Sequence, residues 1–100
     1  MYLRMITYHL KSEVEPDNAV SVYDELITAW RKQHGFLGAA LSMNEEKTTA
    51  LSLSYWESEE DAEIAGSASL PLLFALTVEL SELPPEVTGY DVLKYELPPL

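Results

Sequence analysis

The sequence predicts an α+β fold of ferredoxin-like topology, in which helices cover one face of a small antiparallel sheet. A strand pattern and an amphipathic helix pattern come first, two strand patterns follow Gly35, and a helical region precedes a last strand. The resulting order, β-α-β-β-α-β, is that of the ferredoxin-like motif. One hundred residues, 47% of them hydrophobic, suit a single domain spanning residues 1–100.

The first strand is predicted over residues 2–11, which are rich in β-branched and aromatic side chains. Because side chains alternate along a strand, Ile6, Tyr8 and Leu10 share one face, while His9 lies on the other. The first face is the more apolar, so we expect the helices to cover it.

The first helix is predicted from Asn18 to His34, after a turn that contains Pro16. Asp17 or Asn18 can cap it, because a short side-chain oxygen accepts a free backbone N–H there. Gly35 follows, where helices commonly end in a left-handed conformation. The apolar stripe of this helix comprises Ala19, Val22, Tyr23, Leu26, Ile27 and Trp30.

A hairpin follows, with strands over Phe36 to Met43 and Thr48 to Trp56 joined by the polar turn at 44–47. Small residues are frequent in both strands. They leave room above the sheet either for a closely packed helix, which is the commoner reason, or for a ligand.

The second helical region opens at Ser58, which is placed to cap it, and Gly66 is expected to interrupt it. Ser69 can cap a further helix over residues 70–80, where nearly every residue is apolar. A helix that is apolar all round must be buried on more than one side, under a partner subunit or beside an apolar pocket. The last strand is predicted over residues 87–97.

Composition excludes several classes of protein. Seventeen acidic residues against six Lys and Arg give a net charge of −11, which disfavours nucleic acids and anionic membrane surfaces. No cysteine is present, so disulfides and thiolate metal sites are excluded. No apolar run approaches the roughly 18–20 residues of a membrane span, and no signal peptide is visible. A cytoplasmic location is therefore predicted.

Familiar catalytic motifs are absent, and no spacing of acidic residues predicts a metal site. His9 could act as a general acid or base, since imidazole titrates near neutrality, or be a polar residue of a subunit interface. His34, at a helix end, suits a surface position that complements the helix dipole. The acids that follow Trp56 are best explained as a solvated helix start.

Aromatic side chains indicate a pocket between the sheet and the helices. Tyr and Trp combine a large apolar body with a polar group, which suits flat aromatic ligands, although each one could also be core. The aromatic residues on elements expected to pack together are Tyr8, Tyr23, Trp30, Tyr55, Trp56 and Phe74.

The hairpin and the residues that flank it also resemble those of a known protein family. With Gly35 and Phe36 opening one strand and Tyr-Trp-Glu-Ser-Glu-Glu at 55–60 closing the next, the chain resembles the antibiotic biosynthesis monooxygenase domain family. The resemblance implies a dimeric α+β barrel, in which two subunits pack sheet against sheet with the helices outside. Members include cofactor-independent oxygenases of aromatic polyketides and quinols, heme-degrading enzymes, and proteins of unknown role.

The chain departs from this family in its polar residues. Many members carry a His after the Trp-Glu-Ser turn, but residues 62–80 contain none. The positions that match the Asn, Trp and His of the heme-degrading branch fall near Thr7 or Tyr8, at Ala65 and at Ala75, so heme degradation is disfavoured. Trp56 usually serves a structural role in the family.

The resemblance thus implies a cofactor-independent monooxygenase acting on a small aromatic, quinol or polyketide-like substrate. Two alternatives are a non-catalytic dimer that binds a small apolar ligand or serves in assembly, and an isomerase or cyclase on the same barrel. No cofactor and no metal are expected, and the expected partners are a second copy of the chain or a higher homo-oligomer. The candidate catalytic residues are Tyr8 and His9, and the candidate substrate-binding residues are Tyr8, Trp30, Tyr55 and Phe74.

Overall fold

Four strands and three helices follow one another in a computed structural model that describes residues 1–96. The strands are β1 (Tyr2–His9), β2 (Phe36–Met43), β3 (Thr49–Trp56) and β4 (Glu86–Asp91), and the helices are α1 (Pro16–Trp30), α2 (Glu59–Ala68) and α3 (Leu70–Leu80). The strands form one antiparallel sheet in the order β2-β3-β1-β4. The predicted ferredoxin-like topology is confirmed, with the second helical region divided into α2 and α3.

The helices cover one face of the sheet, here called the inner face. Ile6 and Tyr8 of β1 are buried on it, paired with Ser52 and Ala50 of β3. Leu10, just beyond β1, is buried as well. The alternation predicted for the first strand is therefore confirmed, and His9 lies on the outer face.

The first helix differs from its predicted bounds at both ends. It begins at Pro16 after Glu15, which makes no side-chain capping bond, so the predicted cap at Asp17 or Asn18 is wrong. Proline fits the first turn because its missing N–H would have had no partner there. The helix ends at Trp30, and Gly35 then takes the left-handed conformation expected of it, with a φ of +85°.

The second helix begins as predicted, with the Ser58 side chain accepting a hydrogen bond from the backbone N–H of Asp61. The interruption predicted at Gly66 is wrong, because α2 continues to Ala68 and the chain bends only at Ser69. Strand β4 ends at Asp91 rather than at residue 97, which lies outside the described residues.

Helices α2 and α3 meet at a bend of 77°. Among residues 1–96 no single helix is both long and apolar enough to cross a membrane, and only this bent pair together reaches the required length and composition.

An aromatic cluster fills the core beneath α1. The rings of Trp30 and Trp56 meet edge to face at a centroid distance of 5.9 Å, with Phe36 5.3 Å from Trp56 and Tyr23 6.0 Å from Trp30. Buried serines satisfy the polar atoms of these rings: Ser69 accepts from Trp30 Nε1, Ser54 accepts from Trp56 Nε1, and Ser52 donates to the Tyr23 hydroxyl. The buried serines of β3 are therefore explained by packing rather than by room for a ligand.

Candidate functional site

A cavity of about 570 Å³ lies between β1 and β4 on one side and α2 and α3 on the other. Most of its wall is apolar, formed by Ile6, Leu70, Leu73, Phe74, Pro85 and Val87. The polar side chains that line it are Arg4, Tyr8, Glu63, Ser67 and Thr77. An apolar pocket with a few convergent polar groups is the usual form of a small-molecule site.

Tyr8 forms part of the cavity floor from the inner face of β1. Its side chain is buried, and this burial raises the pKa of its hydroxyl to about 12, although a hydrogen bond with the Thr77 side chain and the positive charge of Arg4 both oppose the shift. Tyr8 therefore keeps its proton at neutral pH. Its chemistry is that of a hydrogen-bond donor rather than of a base.

Arg4 lines the same cavity, and the sequence reasoning missed it. It lies on the inner face of β1, two residues before Ile6, and its Nη1 donates to the backbone carbonyl of Ala62 at 3.3 Å. The alternation of side chains that places Ile6 and Tyr8 on the inner face also places Arg4 on that face. This pattern in the sequence could have identified Arg4 as a candidate. Glu63 was likewise missed, because it belongs to the acidic helix start, which was interpreted as solvated.

Two of the predicted site residues line the cavity together. Tyr8 lies in its floor, and Phe74 of α3 lies in its wall with a residue exposure of 69%. The location predicted for Trp30 is corrected, because this side chain is buried in the aromatic cluster and does not line the cavity. The apolar stripe of α1 predicted that Trp30 is buried, but not which side chains it packs against.

Tyr55 and His9 lie on the outer face of the sheet. Tyr55 packs against Tyr95, with ring centroids 5.5 Å apart, so its expected place beside the helices is also corrected. Because β3 alternates, Ser54 and Trp56 point inward and Tyr55 must point outward. His9 has a side-chain exposure of 44%, and its Nε2 lies 3.9 Å from Glu86 Oε1.

His34 belongs to a separate, exposed group of polar side chains. Its Nδ1 lies 3.0 Å from Asp61 Oδ1, and this contact raises the pKa of His34 and lowers the pKa of Asp61. Because α1 has already ended at Trp30, His34 pairs with α2 rather than with the end of its own helix. Glu57 lies close enough that the three side chains could hold a metal ion, and the expected absence of a metal stays a prediction.

No family model matches the sequence, and no curated protein matches it significantly. Solved structures do match its fold. SnoaB, a cofactor-independent oxygenase from Streptomyces nogalater, is 18% identical with a TM-score of 0.76 over 98% of this chain and 97% of its own. A monooxygenase from Streptomyces coelicolor, crystallised with the ligand nanaomycin D, is 20% identical with a TM-score of 0.75 over 98% and 92%.

A putative antibiotic biosynthesis monooxygenase from Nitrosomonas europaea is 11% identical with a TM-score of 0.78, over 94% of this chain and 100% of its own. At these identities the likeness concerns the fold. The chain has the fold of the antibiotic biosynthesis monooxygenases, which confirms the resemblance indicated by its hairpin motif.

Proposed function

We propose that the protein is a cofactor-independent monooxygenase acting on a small aromatic, quinol or polyketide-like substrate bound in the cavity between the sheet and helices α2 and α3. The observation that carries the proposal is the cavity itself, which is mostly apolar and has a protonated Tyr8 in its floor. The fold is shared with a cofactor-independent oxygenase and with a monooxygenase crystallised with nanaomycin D, which supports the assignment.

The proposed reaction converts a ring CH₂ that lies across the ring from a carbonyl, and whose C–H is acidified by that carbonyl through the fused aromatic rings, into a second carbonyl. One atom of O₂ enters the product and the other leaves as water, and the substrate itself supplies all four electrons, so no external reductant is needed. The substrate must lose a proton, because only its anion is electron-rich enough to react with O₂. The protein supplies orientation, an apolar surrounding and the Tyr8 hydroxyl as a donor to the oxygen on which negative charge develops.

Oxygen uptake with anthrone tests this proposal, because anthrone carries such a CH₂ in a flat tricyclic frame. We expect one O₂ consumed per anthraquinone formed, at a rate proportional to protein concentration and unchanged by EDTA. Heat-unfolded protein and serum albumin serve as controls for spontaneous oxidation. If neither anthrone nor a panel of naphthalene diols is oxidised faster than in these controls, the monooxygenase proposal fails.

A non-catalytic binding protein is the second candidate. Among the described residues that line the cavity there is no histidine that could transfer a proton. His9 lies on the outer face of the sheet, away from the cavity. Both observations favour a binding protein. A ligand that binds without oxygen uptake would support this candidate. Turnover under argon would instead support the isomerase or cyclase.

The protein is further proposed to form a homodimer through the outer faces of its sheets. This face carries half-buried apolar side chains, namely Leu3, Met5, Leu51, Leu53 and Tyr55. Glu86, on the edge strand β4, is its only carboxylate within the paired strands, although 23% of the chain is charged. A largely apolar surface with a single carboxylate at its edge is typical of an interface.

Replacing Leu53 with arginine should convert the dimer to a monomer. Leu53 lies in the sheet centre, paired with Met5 and Ala40, so the new charge would be buried between the two sheets without a partner. Light scattering coupled to size-exclusion chromatography should show the mass falling by half. Val20→Arg, at an exposed position of α1, is the matched control and should leave the mass unchanged. A monomeric wild-type protein, or an unchanged mass for Leu53→Arg, would contradict the proposal.

A further inference from the structure

We propose that the ligand of the cavity carries an oxyanion on a flat ring system of two or three fused rings, and that Arg4 binds this oxyanion. The shared chemistry is that of an enolate, a phenolate or an aromatic carboxylate. The inference rests on the proposed function in one respect, namely that this cavity is the substrate site.

Arg4 is the only basic residue in the cavity wall among the described residues. The chain has six Lys and Arg in all, against seventeen acidic residues, so a cation facing an apolar cavity is not a consequence of composition. No carboxylate of residues 1–96 lies within ion-pair distance of it, since the ion pairs found there involve His9, His34 and Lys47. Its charge is therefore available to a ligand.

The hydrogen-bonding groups of Arg4 are also incompletely used. A guanidinium offers five N–H donors, but only Nη1 has a side-chain hydrogen bond in the described chain, a 3.3 Å contact with the Ala62 carbonyl. Its Nε is buried and has no partner there. Buried donors are normally paired, so this guanidinium is incompletely satisfied by the protein itself, and the part of it that lines the cavity has donors left for a ligand oxygen.

A glycine in helix α2, which packs against β1, makes room for the Arg4 side chain. Gly66 lies inside α2, where glycine costs roughly 1 kcal/mol relative to alanine. A Cβ at this position would overlap Arg4 Nη1 and lie 3.2 Å from its Cζ. The glycine thus explains both the close approach of α2 to β1 and the position of the guanidinium at the cavity.

The remaining geometry defines the rest of the ligand. Arg4, Ile6 and Tyr8 follow one another on the inner face of β1, so a cation, an apolar surface and a hydroxyl donor lie in one row. Their outer members are four residues apart, roughly 13 Å along a strand. A ligand of two or three fused rings with polar atoms at both ends is long enough to lie along this row.

Two pairs of probes test the proposal by binding under argon. The enolate 2-hydroxy-1,4-naphthoquinone is compared with its neutral 2-methoxy analogue, and 2-naphthoate is compared with 2-naphthamide. We expect the anion of at least one pair to bind about tenfold or more tightly than its neutral partner, as a charge-assisted hydrogen bond would give. A preference in only one pair supports the proposal and identifies the kind of oxyanion.

Variants assign the preference to Arg4. In Arg4→Met the anion should lose at least about tenfold in affinity, while the neutral probe binds as in wild type, which shows that the cavity is intact. Arg4→Lys should retain part of the preference, because the charge remains but the planar pair of donors is lost. Glu63→Gln removes the other charge of the cavity wall, a carboxylate that repels an anion, and should strengthen the preference.

Equal binding of the anionic and neutral probes overturns the proposal, and so does a preference that survives in Arg4→Met. Absence of binding by all four probes at millimolar concentration overturns it as well. None of these measurements requires turnover. An anion preference without oxidation of anthrone or of any naphthalene diol would remove the proposed function but leave the Arg4 site. Oxidation without any anion preference would remove the Arg4 site but leave the proposed function.

Discussion

Replacing Trp30 with alanine is expected to lower the free energy of unfolding by about 3–5 kcal/mol, whereas Phe74→Ala should change it by less than about 0.5 kcal/mol. Trp30 is buried, contacts the rings of Tyr23, Phe36 and Trp56, and donates its Nε1–H to Ser69. Phe74 is 69% exposed beside the cavity. Urea unfolding followed by circular dichroism would measure both changes, at one protein concentration because the stability of the proposed dimer would depend on that concentration.

Trp30→Phe keeps this prediction testable if the alanine variant does not fold. It retains an aromatic ring but loses the hydrogen bond to Ser69, so a smaller loss of about 1–3 kcal/mol is expected. Phe74→Ala should weaken binding of the naphthalene probes. A stable Trp30→Ala protein with impaired probe binding would show that Trp30 serves the cavity rather than the core.

Tyr8→Phe is expected to reduce oxygen consumption by about 10²–10³-fold with the fold intact, as removal of one donor to a developing oxyanion typically does. The substitution removes a single oxygen from a buried ring, so the apolar packing of Tyr8 is preserved. Stopped-flow spectroscopy of anthraquinone formation would measure the rate. Tyr90→Phe, at an exposed position on the outer face, is the matched control and should keep the wild-type rate.

The pH profile provides a second measurement for Tyr8. Because the pKa of its hydroxyl is raised to about 12, the donor stays protonated and the rate should show no loss attributable to Tyr8 below about pH 10. The same shift stabilises the folded state below the unfolded pKa of 10.0, and this contribution is lost as pH rises toward 12. Unchanged turnover in both Tyr8→Phe and His9→Ala would show that the catalytic residues lie elsewhere.

Local patterns in the sequence determined where most helices and strands lie and which face of β1 the helices cover. The alternation of Ile6, Tyr8 and Leu10 identified the covered face, because adjacent side chains of a strand must point to opposite sides. Ser58 and Gly35 marked a helix start and a left-handed turn for reasons that depend only on nearby backbone groups. The topology followed from the order of these elements.

Only the tertiary structure decided which aromatic residues meet the cavity. Helical and strand periodicity shows that a side chain is covered, but not whether another side chain or an open space lies opposite it. Trp30 thus belongs to the core, Tyr55 to the outer face and Phe74 to the cavity. The place of Arg4 likewise depends on Gly66, which is 62 residues away in the chain and comes close only when α2 packs against β1.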